Sequence, residues 1–129
     1  EIAARNIALI PARHRAQLDA KHKCVAAGYR RTRKEGQVLE LRFDGAAGCL
    51  RTPEGGSSRQ YLILKEGNSI RTRLLTTRET ARLMGAPDNY LLPGTYNDGY
   101  KAMGDAVAAP VVSWLAKHLL APLTETLNE

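Results

Sequence analysis

Residues 61–85, YLILKEGNSIRTRLLTTRETARLMG, hold two periodicities back to back. Residues 61–65 are an apolar, β-favouring run, and residues 70–74 alternate, with Ile70, Thr72 and Leu74 set against Arg71 and Arg73. Glu66-Gly67-Asn68-Ser69 between them is turn chemistry, so a hairpin is expected. At Thr76 the pattern changes. Thr76 followed by Glu79 is a capping box, in which the hydroxyl accepts from the third helical amide and the carboxylate reaches back to the cap. Residues 77–84 should be helical, and Gly85 suits a left-handed stop. A hairpin running into a capped helix gives the fold class: α+β, with a small strand-rich region followed by helices.

Working outward, the segment 38–43 also alternates, Leu39, Leu41 and Phe43 against Glu40 and Arg42, as in a half-buried strand. Glycines 45, 48, 55 and 56 surround residues 49–52, where a short strand is expected between turns. Residues 2–10 read as a short helix, with Ile2, Asn6 and Leu9 on one side and Pro11 interrupting it. A second short helix is expected over 14–21. Downstream, Pro87-Asp88-Asn89 is a turn, 91–99 a loop and 100–103 a short helix. The last element runs over 107–120, where Val111, Val112, Leu115, Ala116 and Leu119 form a stripe at helical spacing. Pro110 is tolerated in its first turn and Pro122 should end it. Trp114, beside that stripe, reads as packing.

The 129 residues suffice for one modest domain or the greater part of one. No apolar run approaches the ~20 residues of a bilayer span, and no amino-terminal segment resembles a secretory signal. The chain opens at Glu1 instead of Met, which points to a piece of something longer. Charge divides it. Residues 1–73 carry 15 Lys/Arg against 7 Asp/Glu, and residues 74–129 carry 4 against 6. A basic region 1–73 joined to a mildly acidic region 74–129 suggests a polyanion on one and protein on the other.

Chemistry is hard to find. No nucleotide-binding glycine loop is present, and His14, His22 and His118 are scattered without metal-ligand spacing. Cys24 and Cys49 lack such spacing too and read as inert thiols of a reducing, cytoplasmic compartment. Donors for DNA are plentiful. Arg30, Arg31, Arg33 and Lys34 form a dense run after Tyr29, while Arg51, Thr52, Ser57, Ser58, Arg59 and Gln60 sit on glycine-rich loops. Arg and Lys neutralise phosphates, hydroxyls fix register, and Arg or Gln reads base edges through paired hydrogen bonds.

The stretch RLLTTRETARLMGAPD (73–88) closely resembles motif IX of DNA cytosine-5 methyltransferases, written R-x-L-T-x-R-E-x-A-R-L-x-G, an aromatic, then P-D. YNDGYKAMGDAV (96–107), followed by PVV (110–112), resembles the family's motif X and its following helix. Tyr29-Arg30-Arg31 and Leu50-Arg51-Thr52 look like landmarks of the variable target-recognition region. The resemblance is strong over 71–120 and weak over 1–70. It implies the carboxy-terminal part of such an enzyme, which transfers a methyl group from S-adenosylmethionine to cytosine C5 in duplex DNA. The family's Cys nucleophile follows Pro, and neither Cys24 nor Cys49 does, so the resemblance implies a chain inactive alone. Its partners would be double-stranded DNA and a catalytic domain or subunit. Gly104, Asp105, Ala106 and Val107 would complete the cofactor pocket. Asp105 replaces the usual Asn there and sets a carboxylate near that of an amino-acid ligand; Ala86 replaces the aromatic. Arg78, Glu79, Arg82 and Asp88 are expected to be structural, with Asp88 one candidate partner for Arg82. The last helix should pack on the catalytic part, or pair two copies if left exposed. The alternatives are a stand-alone DNA-binding module of helix-turn-helix type, or a non-catalytic partner subunit.

Overall fold

The computed structural model describes residues 2–52, 59–92 and 94–126. Two compact units divide it, Glu1–Leu75 and Thr76–Glu129.

In the first unit, helices α1 (Ile2–Ala8) and α2 (Ala12–Asp19) precede strands β1 (Lys23–Arg33), β2 (Gly36–Arg42), β3 (Gln60–Glu66) and β4 (Ser69–Leu74). The strands form one antiparallel sheet in the order β2-β1-β3-β4. Strand β1 lies inside this sheet and carries Arg30, Arg31 and Arg33, a run to which the sequence assigned no secondary structure. Its middle, Ala-Ala-Gly, has weak β propensity, yet small residues are what the site admits. A Cβ on Gly28 would meet Ile63 Cδ1 at 2.8 Å and Leu41 Cδ2 at 3.0 Å. Burial against neighbouring strands overrides propensity here.

Ile10, Leu18, Ala26, Leu39, Leu41 and Ile63 make the core, with Phe43, Tyr61 and Ile70 packed against it. Alternation in β2 is as its sequence implies, except that Glu40, on the opposite face, is also buried. Helix α1 differs from expectation. Its one buried residue is Asn6, and Ile2 is 76% exposed. Asn6 donates to Thr72 Oγ1 on β4 (3.0 Å) and accepts from the Arg30 guanidinium on β1. A buried amide with both ends satisfied fixes where the helix crosses the sheet. The outer edge of β2 is closed too. The Leu39 amide donates to the Leu9 carbonyl at 2.7 Å and the Leu41 amide to His14 Nδ1 at 3.1 Å. Buried Lys65 ties β3 to the end of α2, donating to the Asp19 carbonyl at 3.0 Å. The hairpin turns at Gly67, whose φ of +56° is glycine territory. Residues 49–52 form no strand; their backbone is irregular, and the Gln60 side chain donates to the Cys49 carbonyl at 3.2 Å.

The second unit holds α3 (Thr77–Leu83), α4 (Tyr96–Asp105), α5 (Ala109–Leu115), a π-helical turn (Ala116–Leu120) and α6 (Ala121–Thr126). Both halves of the Thr76–Glu79 capping box form, and Gly85 ends α3 at φ +80°. Helix α4 begins four residues before the expected 100–103 segment because Thr95 caps it, accepting from the Asp98 amide at 3.2 Å. Thr80 and Ala81 of α3 and Tyr100 and Met103 of α4 are buried where these helices pack.

Pro122 does not end the last element. Proline cannot donate to the carbonyl four residues back and its ring collides with it. The preceding π turn, with the Ala121 amide donating to the Ala116 carbonyl, widens the backbone so that the helix continues. Residues 109–125 are exposed throughout, and Trp114, 60% exposed with its ring 4.8 Å from His118, packs in no core. By length and composition Tyr96–Glu125 would suffice to cross a membrane. The non-helical residues 106–108 divide it, and Lys117 lies within its apolar part.

Candidate nucleic-acid interface

A cleft of about 930 Å³ opens on the first unit, lined by Tyr29, Arg30, Arg31, Thr32, Arg33, Arg42, Gly48, Cys49, Arg51 and Gln60. Strand β1 supplies half of it. Register sets Tyr29 opposite both Glu40 and Gln60, and Arg31 opposite Val38, so side chains from three strands share one region. The irregular segment before Arg51 adds Gly48 and Cys49, held near β3 by Gln60.

Of the donors expected from sequence, Arg30, Arg31, Arg33, Arg51 and Gln60 converge here. Thr52 and Arg59 are described but do not line the cleft, and Ser57 and Ser58 lie outside the described residues. Arg42 was not anticipated. The alternation of β2 already put it opposite Leu41, but only the pairing of β2 with β1 reveals which basic residues it joins.

These cations are not equivalent. Arg30 points to the helix-covered side, bonded to Asn6, with its guanidinium 5.2 Å from the Tyr61 ring centre. Arg31 lies over the Tyr29 ring at 4.6 Å, with Nε 3.7 Å from Glu40. Arg33 binds Glu40 Oε1 through Nε (3.1 Å) and a terminal nitrogen (2.5 Å). Tyr29 donates its hydroxyl to Glu40 Oε2 at 2.8 Å. The Arg33 hydrogen bonds hold the Glu40 carboxyl below the usual carboxylate range despite its burial. Burial first, and then the Glu40 carboxylate, push the Tyr29 phenol up. Arg42 pairs with Asp44 at 2.5 and 3.2 Å. Arg51 is exposed and pairs with no carboxylate among the described residues. The cleft therefore gathers guanidinium groups on an ordered sheet, the equipment for phosphate contact, while the buried Gln60 amide holds the Cys49 carbonyl.

In the second unit, the residues of the motif IX segment brace the turn after α3. Arg78 donates to the carbonyls of Pro87 (3.4 Å) and Tyr90 (2.8 Å). Arg82 and Asp88 pair through two hydrogen bonds of 2.7 and 3.1 Å, and the guanidinium depresses the Asp88 carboxyl. Glu79 is committed to the cap. Gly104 and Asp105 close α4, and Ala106 and Val107 begin the link to α5; Gly104 is half-buried and the other three exposed. The segment presents small residues and one exposed carboxylate, that of Asp105. No group of His, Cys, Asp and Glu suited to a metal occurs among the described residues. A helix-turn-helix is not favoured, because residues 84–95 separate α3 from α4, far longer than that motif's three or four.

The chain matches the family model for C-5 cytosine-specific DNA methylase over residues 10–121. It is 62% identical over 39 residues to DNA (cytosine-5)-methyltransferase CMT2 of Oryza sativa subsp. japonica, covering 30% of this chain and 3% of that protein. It is 40% identical over 61 residues to Type II methyltransferase M.HpaII of Haemophilus parainfluenzae, 47% of this chain and 17% of that one. With Type II methyltransferase M1.ScrFI of Lactococcus lactis subsp. cremoris it shares 36% identity over 64 residues, 50% of this chain and 16% of that one. The matched stretch is thus at most 17% of the length of these three relatives. No solved structure matches the chain significantly. The family match takes in the sheet with its arginine cleft as well as the braced helices, and the chain belongs to the C-5 cytosine-specific DNA methylase family.

Proposed function

We propose that the chain is the carboxy-terminal, target-recognising portion of a DNA (cytosine-5-)-methyltransferase. On this reading the first unit grips double-stranded DNA through the arginine cleft, and the second docks on a catalytic domain or subunit. The observation that carries it is the convergence of Arg31, Arg33, Arg42, Arg51 and Gln60 on one cleft in a chain of this family. The enzyme flips cytosine out of the duplex and attacks it with a Cys that follows Pro. Since neither Cys24 nor Cys49 follows Pro, that nucleophile comes from the other portion. S-adenosylmethionine would supply the methyl group, and Gly104, Asp105, Ala106 and Val107 would contribute one side of its pocket.

The exposed valines and leucines of α5 and the π turn supply the face that docks. Val111, Val112 and Leu119 are 55%, 49% and 50% exposed, a load of apolar surface that a folded chain normally covers. In isolation the same face would pair two copies. A cytoplasmic location, where Cys24 and Cys49 stay reduced, fits this role.

Methyl transfer from labelled S-adenosylmethionine to duplex DNA tests the proposal, with the chain alone and mixed with a separately made catalytic portion. Silence alone and activity on mixing is the expected result. Activity from the chain alone, or silence in the mixture with both parts folded, would overturn it.

A further inference from the structure

Glu40 does not itself line the cleft; it lies buried beside Arg31 and Arg33, two lining cations that reach outward. Its side chain is 12% exposed, whereas those of Arg31 and Arg33 are 50% and 52% exposed. Both carboxylate oxygens are engaged, Oε1 by Arg33 and Oε2 by the Tyr29 hydroxyl, with Arg31 nearby. A carboxylate offers a guanidinium fork the same paired oxygens that a phosphate offers. Two arginine charges are therefore half cancelled inside the chain, by a group that mimics the expected ligand. We propose that Glu40 is an intramolecular stand-in for a DNA phosphate: it holds Arg31 and Arg33 in the free chain and hands them to the duplex backbone on binding. Tyr29 keeps its hydrogen bond to Oε2 after the exchange, so the buried carboxylate retains a donor. Glu40 is thereby a positioning residue that sets both the aim of the arginines and the strength of the grip. This inference rests on the reading of the cleft as a DNA surface.

The test is fluorescence anisotropy with a mixed-sequence duplex at several salt concentrations, comparing the chain with its Glu40→Gln variant. The variant keeps the shape and a hydrogen-bond acceptor for Tyr29 but frees the arginines. Binding should tighten about five- to tenfold, the scale of releasing two partly exposed ion pairs. The slope of log affinity against log salt should change by less than one phosphate contact, about 0.9, because both chains place the same two arginines on the backbone. The tightening should vanish when Glu40→Gln is combined with Arg31→Gln and Arg33→Gln. If the unaltered chain shows no salt-dependent binding, the DNA reading itself fails and this inference with it. If the chain binds but Glu40→Gln is neutral or weaker, the inference alone fails. Should the variant melt prematurely, NMR of the unaltered chain decides: the Arg33 Nε–H signal must move as duplex is added, and an unmoved signal overturns the exchange.

Discussion

Gly85 and Pro110 touch where α3 ends and α5 begins: a Cβ built on Gly85 would lie 2.3 Å from Pro110 Cδ and 2.6 Å from its Cγ. The Ala109 amide donates to the Met84 carbonyl at 2.9 Å beside this contact. Gly85 thus meets two demands, a left-handed φ and room for a proline ring.

Gly85→Ala should therefore be costly. A left-handed alanine costs about 1–2 kcal/mol, and overpacking against a rigid ring adds a further ~1–3 kcal/mol. Thermal or urea unfolding should register a loss of at least ~2 kcal/mol. A loss under about 0.5 kcal/mol would show that the helix ends do not meet in this way.

Thr76→Ala removes the acceptor for the Glu79 amide and half of the capping box. Helix caps of this kind contribute about 1 kcal/mol, and circular dichroism should record lost helicity along with the lower stability. Thr76→Asn or Thr76→Ser should restore most of it. Equal losses in all three would mean that the cap does not hold α3.

Acidification should weaken the first unit through His14. Its Nδ1 accepts from the Leu41 amide, so the folded chain needs it neutral, and burial, then the Arg13 charge, lower its pKa. Above the ordinary histidine value of about 6.5 the full contribution is present. As pH falls below that value the unfolded chain takes up the proton first, so stability declines until pH passes below the folded pKa. Unfolding measured from pH 7.5 to 5 should show this slope, and His14→Gln should flatten it. A slope unchanged in His14→Gln would assign it to another group.

Arg51 and Arg30 should fail in different ways. Arg51→Gln leaves folding alone and removes about one phosphate contact, lowering the salt slope by ~0.9. Arg30→Gln breaks the link to Asn6 and the stack on Tyr61, so its main effect should be a lower melting temperature. Anisotropy and thermal melts on both variants separate the two roles, and the reverse pattern would refute the assignment.

The parts of this fold that could be read from sequence are those that local chemistry decides. The hairpin over β3 and β4 and the α3 cap each rest on a few neighbouring residues. Strand β1 could not be read so, because its Ala-Ala-Gly centre makes sense only against Ile63 and Leu41. The start of α4 was legible in principle, since Thr95 and Asp98 repeat the spacing of Thr76 and Glu79. Pro122 misled because a π turn, set by the whole backbone, absorbs it. For the cleft, the sequence offered the arginines but not their order. Which cation is tethered to Asn6, which to Glu40 and which is open to a ligand depends on strand register, a long-range property.

The amino-terminal segment also determines whether this sheet can grow at its β2 edge. The carbonyl of Leu9 and the imidazole of His14 occupy the amides of Leu39 and Leu41, the donors that another strand would seek on the β2 rim. A protonated imidazole has no lone pair at Nδ1 to accept with. At low pH one rung of the rim is thus laid bare while the rest of β2 remains extended, and a strand from a neighbouring molecule has a place to add. Mild acid would then favour fibre-like stacking over simple unfolding.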